Sequence, residues 1–271
     1  MELIIDRKGN RSLSRLIKDI KDYSDLLWIL AWRDYKVRYA QSALGVIWAF
    51  IQPIATLLIF AFVFGRVAKI DTGNVPYPIY AQTGMVAWIY FSFLLSQAGS
   101  SIIGAQNMIK KIYFPRLIIP LSKAVVGLID FGISIALLLI LMMYYSYWPS
   151  ANMLLLPVFL IIVIIAGLGI GIWVSALTVR YRDFKHLLPF AVQLGLYATP
   201  IAYPVSQVPE KYQLIYHLNP MAGVVEGFRW CILGGDLPHP MTYLSISIVI
   251  VLFVSSVFYF QKVERVMADI V

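Results

Sequence analysis

The chain has 271 residues, 60% of them hydrophobic and 13% charged, with a formal net charge of +8 and a mean hydropathy of +0.78. A soluble domain averages about 45–50% apolar and about 25% charged residues, so this composition excludes an ordinary soluble domain and points to a membrane. Cys231 is the only cysteine, which excludes an intrachain disulfide and a four-cysteine metal site.

The N-terminus, MELIIDRKGNRSLSRL, is polar and basic with no apolar core near its start. It does not look like a cleaved signal peptide. Leu13, Leu16, Ile17, Ile20, Ser24, Leu27, Trp28 and Ala31 follow the 3–4 spacing of one helix face. Lys18, Asp19, Lys21, Asp22 and Asp25 fall largely elsewhere. A basic amphipathic helix with Trp on its apolar side suits the plane of the membrane interface, as a simple anchor or as one wall of an entrance. WRDYKVRYAQSALGVIWAFIQP follows at 32–53, where a basic aromatic stretch runs without a linker into an apolar one. Arg33, Lys36 and Arg38 are expected at the anionic headgroups, each contributing about 1 kcal/mol. Tyr35 and Tyr39, one turn apart, fit the same depth. Arg33 and Arg38 are candidates for a cytoplasmic entrance, with Gln52 and Pro53 deeper inside.

A bilayer-crossing helix needs about 20 mostly apolar residues. Six stretches qualify, at about 42–64, 79–98, 117–143, 153–178, 187–203 and 241–261; the fifth is short. The predicted fold is therefore an all-α integral membrane protein, with an N-terminal arm over 1–41 and a transmembrane domain over 42–271. Flanking Lys and Arg residues are divided 18 to 4 between the two sides. Cytoplasmic loops carry the basic excess, so both termini are expected in the cytoplasm. The positive charge is thus a topology signal and requires no nucleic-acid partner.

On the other side, 204–240 is too polar to span and too apolar for a free loop. Residues 221–233, MAGVVEGFRWCIL, are expected to form a short helix dipping back into the membrane, shielded by protein. Glu226 and Arg229 stand at i, i+3 within it, spaced for an ion pair or a capping interaction.

Motifs of chemistry are missing. There is no G-x-x-x-x-G-K-[ST], so this chain has no P-loop for ATP. G-x-S-x-G and H-E-x-x-H are also missing. No catalytic, cofactor or metal residue is nominated. GLGIG at 167–171 lies in an apolar span, where small residues allow close helix packing. Pro115 and Pro120 break helix continuity just after the basic pair Lys110 and Lys111.

Four stretches, in order, carry a resemblance: RYAQSALGVIWAFIQP at 38–53, KIYFPRLIIPLS at 111–122, VRYRDFKHLLP at 179–189 and YPVSQVPEKYQLIYHLNPMAGVVEGFR at 203–229. The chain resembles the permease subunit of type-2 ABC transporters, of the polysaccharide exporter branch that moves O-antigen, capsule or teichoic acid. The resemblance covers nearly everything from residue 30 onward. It implies a homodimeric pore in a bacterial or archaeal inner membrane. Two separate subunits would bind ATP and Mg and hydrolyse the ATP. The substrate would be a lipid-linked glycan. A coupling helix at about 100–112 would rest on the ATPase, with Gln106, Asn107, Met108, Lys110 and Lys111 as contacts. The 204–233 segment would supply outer gate helices and the N-terminal amphipathic helix an interface helix.

Polar groups inside a membrane are expensive, and each one raises a functional question. Asp130 stands in the third span with Lys123, Gly127 and Ser134 on one face. Lys123 is about 10 Å away along the axis, too far for contact, so Asp130 is expected to pair with another helix or face water. Gln52, Gln82, Gln97 and Gln193 lie in or near spans, among Trp48, Trp88, Tyr90, Phe91, Tyr197 and Tyr203. Aromatic faces and amides suit a sliding sugar chain. Gln52, Trp88, Tyr90, Phe91, Gln193, Tyr197 and Tyr203 are the candidate path, with Gln193 and Tyr197 at i, i+4 the preferred pair. Trp48 and Trp88 also fit an interfacial aromatic belt. Two alternatives stand beside the exporter: a type-2 permease for a drug or small lipid, and a membrane-embedded glycosyltransferase or polymerase.

Overall fold

The computed structural model describes residues 13–40, 47–181 and 183–270. The expected first residues of span one, 42–46, and Arg182 lie outside them, as do Arg7, Lys8 and Arg11. Most of the described residues are helical, and none of them is in a strand. The helices are α1 (Leu13–Asp22), α2 (Ser24–Ala40), α3 (Ile47–Phe60), α4 (Tyr77–Gly104), α5 (Gln106–Ile109), α6 (Ile118–Tyr144), α7 (Leu156–Arg180), α8 (Phe184–Ala198), α9 (Glu210–His217), α10 (Pro220–Leu233) and α11 (Thr242–Ile270).

Five helical stretches are long and apolar enough to cross a membrane: Ile47–Val67, Tyr77–Gly104, Ile118–Tyr144, Ala151–Arg180 and Thr242–Glu264. The stretch expected as the fifth of six spans, 187–203, holds the 15-residue α8, too short to be counted among these five. It rises only about 22 Å, short of a hydrocarbon core of about 30 Å. The helix stops because Pro200 follows: Thr199 takes extended backbone (φ −100, ψ 146), as residues before proline do.

α4 is the central helix, packed by α6 on one side and α7 on the other. α11 covers α7, and α10 wedges between α4, α7 and α11. Lipid gives no hydrophobic drive between helices, so close packing of small residues must hold them. GLGIG supplies this on two faces. Cβ atoms added at Gly167 and Gly171 would stand 2.6 Å from Leu94 Cβ and 2.7 Å from Ala98 Cβ on α4. One added at Gly169 would stand 3.0 Å from Phe253 Cα on α11. The same five residues thus seat α7 on both neighbours.

α3 continues into a wider π-helical turn over 61–67. Only Pro53, Leu57 and Phe60 of α3 are buried, a single narrow face against α4 and α6. Thr56 Oγ1 donates to the Gln52 carbonyl at 2.9 Å, beside the proline that breaks the helix ladder.

α1 and α2 are almost continuous: Tyr23 N donates to Asp19 O and Leu27 N to Tyr23 O. The amphipathic helix expected around 13–31 therefore extends to Ala40. Leu30 and Ala31 are buried, against α6, while Trp28, Ile29, Trp32 and Val37 face outward. WRDYKVRY is part of this helix and packs on a span, which differs from a stretch lying wholly among headgroups.

Candidate transport path and docking turn

The starts of α4, α7 and α11 and the end of α6 share one end of the bundle with α9 and α10, here the hairpin end. The opposite end carries α5, the 110–117 turn, the start of α8 and the end of α11, here the basic end.

At the basic end α4 runs to Gly104 and breaks at Ala105 (φ −105, ψ 11). α5 is then a single turn. The coupling helix expected over 100–112 is therefore the last turns of α4 plus one separate turn. Asn107, Lys110 and Lys111 are exposed, Gln106 and Met108 are half-buried, and Ile109 is buried beneath them. Ile112 and Tyr113 continue the exposed rim, and Phe114 and Leu117 turn inward. The turn is thus a polar, basic knuckle on an apolar footing.

Two ion pairs fasten α2 to α6. Asp34 pairs with Lys123 and, at 2.7 Å, with Arg33. Arg38 Nη1 lies 2.6 Å from Asp130 Oδ2, and the Tyr39 hydroxyl donates to Asp130 Oδ1 at 2.6 Å. Arg38 also lies over the Phe93 ring, 4.6 Å from its centre, a cation–π contact. Asp130 thus pairs with another helix. Arg38 was expected at the headgroups, but its guanidinium is committed to this carboxylate. Burial pushes the Asp34 carboxyl upward, yet the hydrogen bonds from Lys123 and Arg33 outweigh this and hold it below its ordinary value.

The candidate path residues separate into two groups. Gln193 and Tyr197 share an exposed face of α8, and Gln52 is exposed on α3. Tyr203 is half-buried, its hydroxyl 3.4 Å from the Tyr197 carbonyl. Trp88, Tyr90 and Phe91 line no open wall within this chain; they are buried in the packing of α4. The Tyr90 hydroxyl donates to the Ala124 carbonyl of α6 at 2.9 Å. Trp88 leans on Phe91, centres 5.3 Å apart, and over Gly195, where a Cβ would stand 2.6 Å from the indole. Gln82 Nε2 donates to the Ser134 carbonyl at 3.2 Å, a polar brace between α4 and α6. Gln97 is exposed.

At the hairpin end α10 occupies Pro220–Leu233, where the re-entrant helix was expected. Asn219 caps it, its Oδ1 accepting from Met221 N at 2.9 Å, with Pro220 in the first turn. Asn219 Nδ2 donates to Thr199 Oγ1 at 2.9 Å, which ties the cap to the break after α8. Gly234, at φ +78, ends the helix. No ion pair joins Glu226 to Arg229 among the described residues; each has its own partner. Glu226 Oε2 accepts from Thr242 Oγ1 of α11 at 2.7 Å. Arg229 is buried, donates to the Ile201 carbonyl at 2.8 Å and lies 3.7 Å from the centre of the Tyr80 ring. The i, i+3 spacing named both residues, but tertiary partners across helices took them. Ser245 Oγ donates to the His217 carbonyl at 2.7 Å, joining α11 to α9.

A helical bundle with membrane-length spans, a turn at one end and a capped hairpin at the other defines a multi-pass membrane protein. Residues 25–233 match the ABC-2 type transporter family, and the chain belongs to that family. It is 29% identical over 255 residues to an O-antigen export system permease protein of Myxococcus xanthus, covering 92% of this chain and 97% of that protein. It is 30% identical over 249 residues to an O-antigen export system permease protein of Klebsiella pneumoniae, covering 91% and 95%. A polysialic acid transport protein of Escherichia coli is 23% identical over 240 residues, covering 88% and 93%.

Proposed function

We propose that this chain is the permease subunit of an ABC exporter that carries a lipid-linked cell-surface polysaccharide, of the O-antigen class, across the inner membrane. The observation that carries the reading is kinship with O-antigen permeases along nearly the whole of both chains.

The geometry supports the division of labour. The basic end faces the cytoplasm, in accord with its Lys and Arg excess. A separate ATPase docks on Asn107, Lys110 and Lys111, the exposed crown of the α5 turn. Two copies enclose the path, since α3 and α8 leave Gln52, Gln193 and Tyr197 uncovered in one copy. Uncharged amides and a phenol hold sugar hydroxyls weakly and let a chain slide. The α9–α10 hairpin closes the far mouth.

The test is deletion of the chain from its host. Surface polysaccharide should disappear while lipid-linked glycan accumulates inside, and a plasmid copy should restore export. Unchanged surface polysaccharide in the deletion strain overturns the reading.

A further inference from the structure

The turn between α5 and α6 is fastened to the last helix by a reciprocal clasp. The backbone N–H of Arg116 donates to Glu264 Oε1 at 2.9 Å. Arg116 Nη1 donates in return to the Glu264 backbone carbonyl at 2.7 Å. Each side chain holds the other residue's main chain, across 148 positions of sequence. Bonds with one ionised partner are the shorter and stronger kind. Bonds to backbone also fix where the chain runs. The Arg116 N–H lies just ahead of α6, where donors have no partner within the helix. A carboxylate from α11 supplies one.

The other end of α11 is fastened too. Thr242 Oγ1 donates to Glu226 of α10, and Ser245 Oγ to the His217 carbonyl of α9. From Thr242 to Glu264 the helix rises about 33 Å. One unbroken rod therefore grips the docking turn at one end and the hairpin at the other. The sequence between has no proline to hinge it.

We propose that the Arg116–Glu264 clasp is a positioning device that makes the docking turn and α11 move together, so that displacement of the turn by the ATPase reaches the α9–α10 hairpin along α11. This rests on the reading that an ATPase docks at the α5 turn. Arg116 and Glu264 are positioning residues; neither is assigned a contact with substrate.

The experiment uses the complex with its ATPase in lipid vesicles, with Cys231→Ser and the reporter substitution Leu214→Cys at an exposed position on α9. Labelling by a membrane-impermeant maleimide is followed with and without ATP. The nucleotide-dependent change in labelling rate should fall at least ten-fold in Arg116→Ala/Glu264→Ala. Basal ATP turnover and ATPase retention should stay unchanged. Glu264→Gln keeps an oxygen for the Arg116 N–H and should restore most of the response. A nucleotide response that persists in the double variant overturns the proposal. Loss of the chain or of bound ATPase in that variant also overturns it, since the clasp would then serve assembly alone. The docking reading is checked separately with alanine at Asn107, Lys110 and Lys111. If that variant keeps its ATPase while the clasp variant loses the response, docking on those three side chains fails, and the clasp keeps its link from turn to α11 but not the ATPase's push on this turn.

Discussion

Arg38 Nη1 lies 2.6 Å from Asp130 Oδ2, and this pair ties α2 to the part of α6 that packs on α4. Asp130 is almost completely buried, whereas the Arg38 side chain is 39% exposed. Removing one partner of a fully buried pair costs about 3–5 kcal/mol. Because Arg38 can rehydrate, Asp130→Ala should cost less, about 2 kcal/mol. Arg38→Ala strands the buried carboxylate and should cost more. The double variant should be more stable than Arg38→Ala alone. Thermal unfolding of the purified protein in detergent checks the order; additive losses would sink the pairing.

How much of this was legible in the sequence depends on the range of the interactions. Spans, the α10 helix and the packing role of GLGIG follow from local composition and spacing. Asp130 was marked by its cost in a membrane, but its partner came from α2, 92 positions earlier, and no periodicity points there. Asp34 and Lys123 carried the same signal: charges bordering apolar runs need partners. Trp88, Tyr90 and Phe91 are buried in the packing of α4, and aromatic content in the sequence cannot tell a lining from a core. α8 was drawn too long because its apolar run continues through Ile201 and Ala202, while the backbone already turns at Thr199. Arg116 and Glu264 left no trace, since half of each interaction uses backbone.

The hairpin should be sensitive to acid. His217 is buried, and neither ring nitrogen has a hydrogen-bond partner among the described residues. Burial drives its pKa below the ordinary value; Glu226 opposes this and His239, ring centre 5.9 Å away, adds to it. The unfolded chain therefore takes up the proton first, near pH 6.5. Stability from this group is complete above about pH 6.5 and declines as pH falls toward the depressed native value. Melting temperature followed from pH 7.5 to 5 should drop in the native protein and drop less in His217→Gln. An identical slope in the variant would assign the effect elsewhere.

Arg229 should tolerate loss of a hydroxyl beneath it but not loss of the ring. Its guanidinium sits 3.7 Å from the Tyr80 ring centre and bonds the Ile201 carbonyl, so it staples α10 to α4 and to the break after α8. A desolvated cation–π contact is worth about 2 kcal/mol. Tyr80→Phe should keep it and Tyr80→Ala should lose it. Proteolysis at the hairpin end reports the difference: faster cleavage within 199–220 for Tyr80→Ala, and a native rate for Tyr80→Phe.

Two glycines separate close packing from helix propensity. A Cβ at Gly171 would stand 2.7 Å from Ala98 Cβ and 3.2 Å from the Leu94 carbonyl oxygen of α4. Backbone on the far side cannot swing away, so α7 must move off α4 to accept even a methyl group. Overpacking of this kind costs about 1–3 kcal/mol. At Gly132 of α6 an added Cβ meets nothing within 4 Å, and alanine there should gain up to about 1 kcal/mol from helix propensity. Gly171→Ala should lower the melting temperature and Gly132→Ala raise or keep it. Both variants leave the charge unchanged and add the same single carbon. Opposite signs would therefore place the difference in the α4–α7 contact, and equal effects would mean that GLGIG does not set that distance.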